Sequence, residues 1–150
     1  MITMKAKYAI KALAYLGASA PETPVMISQI AESEGIPHKF LEVILRELRQ
    51  HGLVTSKRGR FGGYLLSRRA QDINIAEIIR IADGPIAPVS CLSKTSYRRC
   101  DECKDEATCG VRLILLDAYE ASLRVLEAAT LADYALKIPG NPDAASRYSI

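Results

Sequence analysis

The chain has 150 residues, of which 49% are hydrophobic, and a formal net charge of +3 at pH 7. This length suits one domain, or a compact domain with an appended element. No stretch reaches the ~18 consecutive apolar residues of a membrane span, and the N-terminus leads into an amphipathic pattern without the apolar segment of a signal peptide. We therefore expect a cytoplasmic protein with no membrane partner.

Three helices are predicted before residue 52. Apolar residues recur at threes and fours over residues 5–17, which indicates the first helix. A proline-bearing loop over 20–25 precedes a short second helix over 28–33. Pro37 opens a third helix, and Gly52 ends it. Its apolar stripe has the spacing i, i+3, i+4, i+7 and consists of Leu41, Ile44, Leu45 and Leu48.

A β-hairpin and a fourth helix follow. Residues 53–57 and 64–67 are strand-like and flank a glycine-rich turn, which is typical of a hairpin. Asn74 begins the fourth helix, and Glu77 lies three residues later, as in a capping box. Helix, helix, turn, helix and hairpin is the order of a winged helix-turn-helix.

The predicted fold class is mainly α with a small β-hairpin wing, a winged helix-turn-helix plus a long C-terminal dimerisation helix. We expect the DNA-binding domain over 1–84, a cysteine-bearing sensor loop (the cysteine loop) over 85–110, the dimerisation helix over 111–138 and a flexible tail over 139–150. A single helix over 111–136 would be roughly 39 Å long. The small domain cannot cover it, which favours a homodimer over a helix folded back on its own domain.

The third helix and the wing carry the candidate DNA contacts. The major groove admits one α-helix, and a basic hairpin tip can lie in the minor groove. Basic residues are concentrated over 46–69, where Glu47 is the one acid. A solvated charged face on a small α+β domain is the alternative. The candidates are Ser28, His38, Lys39, Glu42, Arg46, Arg49, Lys57, Arg58 and Arg60.

The four cysteines lie between positions 91 and 109 with the spacing C-x8-C-x2-C-x5-C. In a reducing cytosol such a group favours metal or redox chemistry over structural disulfides. Thiolates bind zinc or iron–sulfur clusters, and a thiol–disulfide switch is also open. A thioredoxin-type enzyme is disfavoured because the Cys-x2-Cys pair lies in a charged loop without a βαβ pattern. We therefore expect no enzyme.

Several stretches resemble the Rrf-two-type winged-helix regulators of bacteria. The resemblance covers about residues 1–135, and its Gly-Gly-Tyr wing motif is fairly specific. The matching stretches are Lys7-Tyr8-Ala9, Phe40-Leu41-Glu42, residues 48–54, residues 58–66 and Thr130-Leu131-Ala132-Asp133.

The resemblance implies a transcription regulator, most often a repressor, that binds a palindromic operator in double-stranded DNA as a homodimer. Lys39 and Glu42 match positions that read bases, and Arg58 matches the wing residue that reaches the minor groove. Many members have proline-glycine where this chain has Arg60-Phe61. The wing is therefore bulkier and more basic than in those members.

The resemblance also implies a cofactor. Cluster-bearing members use three cysteines between the wing domain and the long helix, which match Cys91, Cys103 and Cys109. Cys100 is then a candidate fourth ligand. The assembly repressor of the family has a histidine where this chain has Arg112, which cannot ligate a metal. The expected cofactor is an iron–sulfur cluster, 2Fe–2S or 4Fe–4S, with zinc or no cofactor as the alternative.

Overall fold

The computed structural model describes residues 2–20 and 22–136, with side chains described as far as Tyr134. Within these residues the helices are α1 (Met4–Ala18), α2 (Ile27–Glu34), α3 (His38–Gln50), α4 (Ile75–Asp83), α5 (Gly110–Ala128) and α6 (Leu131–Leu136). Strands β1 (Val54–Lys57) and β2 (Gly63–Leu66) form one antiparallel hairpin, the wing. Short 3-10 turns cover Ala70–Asp72 and Ser90–Leu92. The predicted mainly helical chain with a hairpin is confirmed, and the predicted tail over 139–150 lies outside the described residues.

The helix ends follow local chemistry. The Thr3 hydroxyl accepts hydrogen bonds from the backbone N–H groups of Lys5 and Ala6, which caps α1. Gly35 ends α2 in the left-handed conformation, at φ 64°. Asn74 caps α4 by accepting from the Glu77 N–H at 2.8 Å. The predicted capping box is only half formed, because the Glu77 carboxylate pairs with Arg68 instead of returning to the cap.

One hydrophobic core joins α1, α2, α3 and the wing. The predicted stripe of α3 is buried, as are α1 residues on the facing side. Burying such side chains is the main force that holds the helices together. The fully buried members include Leu13, Ile30, Leu41, Ile44, Leu45, Leu48, Leu53, Ile73 and Ile78.

The Gly-Gly-Tyr motif has a steric reason. A Cβ at Gly62 would lie 2.3 Å from the Lys57 carbonyl oxygen, and a Cβ at Gly63 would lie 2.4 Å from the Val25 carbonyl oxygen. Val25 and Tyr64 exchange two backbone hydrogen bonds, of 3.0 and 2.8 Å. Val25 was expected in a plain loop, but it pairs with the wing as a one-residue bridge. The glycines therefore close the wing turn and let the wing contact the chain before α2.

The predicted single helix over 111–136 is wrong, since it is divided into α5 and α6. The Thr130 hydroxyl accepts from the Asp133 N–H, and the Asp133 carboxylate accepts from the Thr130 N–H. Such a reciprocal cap starts a new helix. The Ile75 N–H also donates to the Ala129 carbonyl at 2.9 Å, and the Leu131 N–H donates to the Ile73 carbonyl at 2.8 Å. These backbone bonds turn the chain towards the first core.

The first core therefore draws on both sides of the predicted domain boundary at residue 84. Leu131 of α6 is 1% exposed and lies in that core, and Tyr134 packs against it. The end of α5 is also fixed to α4, because Arg80 and Glu127 form an ion pair of 2.6 Å.

The cysteine loop is attached to α5 by a second, smaller core. Leu92 of the second 3-10 turn packs with Tyr119 and Leu123 of α5, and all three are buried. Partly buried side chains surround them, namely Ala87, Val89, Leu115 and Leu116. Within the described residues, none of the helices is both long enough and apolar enough to cross a membrane.

Candidate DNA interface and cysteine pocket

The outer face of α3 is exposed and bears the predicted base-reading residues. Because the stripe over 41–48 faces the core, the opposite face is left in solvent. His38 and Glu42 lie one turn apart, with 3.5 Å between Nδ1 and Oε1. The exposed residues of this face that were predicted to contact DNA are His38, Lys39, Glu42, Arg46 and Arg49.

Sequence reasoning missed an apolar residue on that face. Val43 is 47% exposed although it is aliphatic, and it lies one turn after Lys39 on α3. A small apolar side chain in this place can contact a thymine methyl group. The sequence does contain a sign of this exposure, because Val43 does not fit the spacing of the buried residues of α3.

Five cations of the wing tip and α3 form no ion pair among the described residues, whereas the two arginines that follow the wing are both paired. Arg68 pairs with Glu77 at 2.5 Å, and Arg69 pairs with Asp72 at 2.8 Å. The hydrogen bond from Arg69 holds the pKa of the Asp72 carboxyl below its usual value. Within the described residues, no ion pair engages the following exposed cations: Lys39, Arg46, Lys57, Arg58 and Arg60.

Arg49 connects the two parts of this surface. Its Nη1 donates to the Ser56 hydroxyl of β1 at 3.0 Å, so one guanidinium spans α3 and the wing. Ser28 is exposed in the first turn of α2, and the first N–H groups of a helix have no partner within the helix itself. The structure thus places the DNA candidates on α2, α3 and the wing.

The four cysteines line one open cavity of about 610 Å³. All four are free thiols; Cys100 is exposed and the others are partly buried. Cys91 lies in the second 3-10 turn, and Cys109 directly precedes α5. Between them the Cys103 N–H donates to the Cys100 carbonyl at 3.0 Å, which makes a tight turn. The predicted ligands therefore share a cavity at the N-terminal end of α5.

The thiols share this cavity without converging on one point. Across residues 2–20 and 22–136, no group of three or more His, Cys, Asp or Glu side chains is close enough to hold a metal ion. The ligand roles of Cys91, Cys100, Cys103 and Cys109 therefore stay a prediction.

One residue of the cavity lining, Arg112, has an unpaired buried donor among the described residues. The Nε atom of Arg112 is buried and has no hydrogen-bond partner among the described residues, and Arg112 lines the cavity. A buried N–H without a partner is costly unless a bound group satisfies it. Thiolate-bound clusters are anionic and accept hydrogen bonds through sulfur. Four free thiols and one unpaired buried N–H therefore fit such a group in donor chemistry.

Two acids of the cavity lining, Asp105 and Glu106, accept hydrogen bonds from neighbouring groups. Asp105 accepts from the Ala107 N–H at 3.1 Å and from the Thr108 hydroxyl at 2.9 Å, and these bonds lower the pKa of its carboxyl. Glu106 accepts from the Tyr97 hydroxyl, and this bond raises the pKa of that phenol. These contacts order the cysteine loop.

Comparison with known proteins gives the family. A model described as Rrf2, iron-dependent transcriptional regulator, matches residues 2–136. An Rrf2-like HTH-type transcriptional regulator of Rhodobacter capsulatus is 44% identical over 147 residues, which cover 96% of this chain and 97% of the relative. The HTH-type transcriptional regulator NsrR of Geobacillus kaustophilus is 35% identical over 132 residues, covering 88% of this chain and 87% of the relative.

Solved structures agree with these relatives. CymR, the global cysteine regulator of B. subtilis, matches with a TM-score of 0.77 at 30% identity, over 92% of this chain and 98% of that one. T. potens IscR matches with a TM-score of 0.70 at 29% identity, over 89% of this chain and 85% of that one. The predicted winged-helix fold, DNA binding and absence of an enzymatic role are confirmed. This chain belongs to the Rrf2 family of DNA-binding transcriptional regulators.

Proposed function

We propose that the protein is a cytoplasmic, homodimeric repressor whose affinity for a palindromic operator is controlled by an iron–sulfur cluster. Cys91, Cys103 and Cys109 would hold the cluster, with Cys100 as the fourth ligand. The observation that carries this proposal is that four free thiols line one cavity formed by the cysteine loop and the N-terminal end of α5. The unpaired Nε of Arg112 in that cavity adds to it.

The proposed DNA interface uses the unpaired cations. Lys39 and Glu42 on α3 would contact base edges in the major groove. Arg58 at the wing would enter the minor groove, where negative potential is strongest. The remaining proposed contacts, to bases or phosphates, are Ser28, His38, Arg46, Arg49, Lys57 and Arg60.

An exposed apolar stripe on α5 supports the homodimer. Ile114 is 79% exposed and Val125 is 66% exposed, although both are aliphatic. Alternating steps of four and three residues are the spacing by which two helices pack against each other. A two-fold dimer would then present two copies of α3 to successive major grooves. The stripe consists of Ile114, Ala118, Ala121, Val125 and Ala128.

The contacts of the cysteine loop suggest how the cavity would control α3. Bound there, a cluster would supply a link between thiolates that depends on redox state and iron supply. Cys91 adjoins Leu92, which packs on Tyr119 and Leu123 of α5. Cys109 is the N-cap residue of α5, and the Leu113 N–H donates to its carbonyl. A change in the distance between these cysteines would therefore displace the cysteine loop against α5, and α5 packs on α4, which in turn contacts α3.

Such a switch works only if the two states differ in operator affinity. We expect anaerobically purified protein to contain iron and sulfide and to differ in operator affinity from its metal-free form. Cys91→Ala should lose the visible absorbance, and Cys100→Ser shows whether the fourth thiol is needed. Equal operator affinities of the loaded and metal-free forms would overturn cluster control, and undiminished colour in Cys91→Ala would remove Cys91 from the ligand set.

A thiol switch or a zinc site is the second candidate. Its support is that the thiols are free and share a cavity, and that a related structure is the oxidised form of Staphylococcus aureus CymR, 25% identical with a TM-score of 0.66. Zinc analysis and thiol counting before and after mild oxidation separate these cases. Two thiols lost with changed operator affinity favour the switch, and about one zinc per chain favours the metal site.

A further inference from the structure

Phe61 at the wing tip is a large apolar side chain in solvent. It is 85% exposed, more than any other large hydrophobic residue described. Its ring contacts the guanidinium of Arg60, whose Cζ lies 5.8 Å from the ring centroid. A partner that covers this ring would gain free energy in proportion to the apolar area removed from water.

The turn keeps the ring at the tip. The Gly62 N–H donates to the Gly59 carbonyl at 3.0 Å, and Gly59 has φ 112°. There is no room for a Cβ at Gly62, because the Lys57 carbonyl occupies that space. Phe61 therefore lies on the narrow turn that connects β1 to β2.

Charge identifies the partner. Three unpaired cations, Lys57, Arg58 and Arg60, accompany the ring, and the sequence has no acid between Glu47 and Asp72. The partner must therefore be strongly anionic and offer an apolar slot. The minor groove of duplex DNA does both, because its flanking phosphates bind cations and its base steps can open to admit an apolar side chain.

We propose that Phe61 inserts between two base pairs in the minor groove as a wedge that bends the operator. Arg58 and Arg60 hold the flanking phosphates or groove edges. Pyrimidine–purine steps unstack most easily, so the wing selects a TA or CA/TG step at this place without hydrogen bonds to its bases. The inference rests on DNA binding by the full chain and is independent of the cysteine cavity.

The test uses a duplex selected from a randomised library by the full-length wild-type protein. 2-Aminopurine is placed at successive positions of each half-site, and its fluorescence reports unstacking. Wild-type protein should raise the signal at one step per half-site. Phe61→Ala should abolish the rise and Phe61→Leu should keep part of it, while thermal unfolding shows that both variants fold.

A second arm crosses the protein change with a DNA change. Replacing the responding step by a stiff G·C step should weaken wild-type binding about tenfold but leave the binding of Phe61→Ala nearly unchanged. An equal loss for both proteins, or an equal fluorescence rise for both, overturns the wedge. Selection of no duplex at all by the wild type would overturn the wedge together with the proposed operator interface on which it rests.

Discussion

Arg112 has a buried Nε without a partner, in a cavity lined by four thiols. From the sequence, Arg112 was noted only as a residue that cannot act as a ligand where the assembly repressor of the family has a histidine. If the proposed cluster binds there, Arg112 has a different role, because a fixed cation beside a thiolate-bound cluster favours the more reduced, more negative form. Sequence alone could name the position but could not show that its N–H is buried.

Replacing Arg112 with Ala should therefore lower the midpoint potential of the bound cluster by about 60 mV, the equivalent of one charged hydrogen bond of about 1.4 kcal/mol for a one-electron couple. Redox titration of the anaerobic protein by visible absorbance measures this. Arg112→Lys should recover part of the shift through its charge, and Arg124→Ala, an exposed change on the same helix, should have no effect. Identical potentials in wild type and Arg112→Ala would contradict the role.

The absence of a side chain at Gly63 contributes to the stability of the fold. A Cβ there would lie 2.4 Å from the Val25 carbonyl, so we expect Gly63→Ala to destabilise the protein by at least about 2 kcal/mol. Gly52→Ala is the matched control. Gly52 also has positive φ, 73°, but open space around it, so only about 1 kcal/mol of conformational cost is expected. Urea unfolding of both variants compares them, and equal losses would refute the steric argument.

At the scale of elements, α5 combines two surfaces. One side packs on the cysteine loop through Tyr119 and Leu123, and another exposes the stripe from Ile114 to Ala128. A charge placed in an apolar seam between two helices loses its hydration without gaining a partner, which opposes association.

Val125→Asp should accordingly convert the proposed dimer to a monomer at micromolar concentration, while the melting temperature of the DNA-binding core changes little because Val125 is 66% exposed. Light scattering after gel filtration gives the mass. Glu120→Lys, an exposed charge change on the same helix, should leave the mass unchanged. A dimer that survives Val125→Asp would place the interface elsewhere.

The sequence predicted the elements that carry their own periodicity. The stripe of α3 and the glycine-closed wing follow from residues close together in the chain. The break between α5 and α6 was missed because apolar spacing continues through Ala128, Ala129 and Ala132, whereas the Thr130–Asp133 cap is a short signal. The Val25 bridge was missed because a single residue cannot show the alternation of apolar and polar side chains by which a strand is predicted. The spacing of the cysteines in the sequence predicts that they share a cavity. It does not predict that the four thiols fail to converge on one point.

At the scale of the whole molecule, the C-terminal part closes the DNA-binding core. Leu131→Ala should cost about 2–5 kcal/mol, because it opens a cavity beside α1 and Ile73. Leu113→Ala, at a site 49% exposed, should cost less than about 1 kcal/mol. Thermal or urea unfolding distinguishes them. A mild effect of Leu131→Ala would mean that residues before α5 form a self-sufficient core.

The pairing of Arg80 with Glu127 has a mechanical consequence. It fixes α5 at one end, and the cysteines lie at the other, so the helix is a lever with an arm of about 28 Å, given 19 residues at 1.5 Å each. A movement of about 2 Å at Cys109 would then turn the arm by only about 4°. Base-reading hydrogen bonds weaken over a few tenths of an ångström, so in the proposed dimer a rotation of this size, repeated in both protomers, would weaken binding to a palindromic operator.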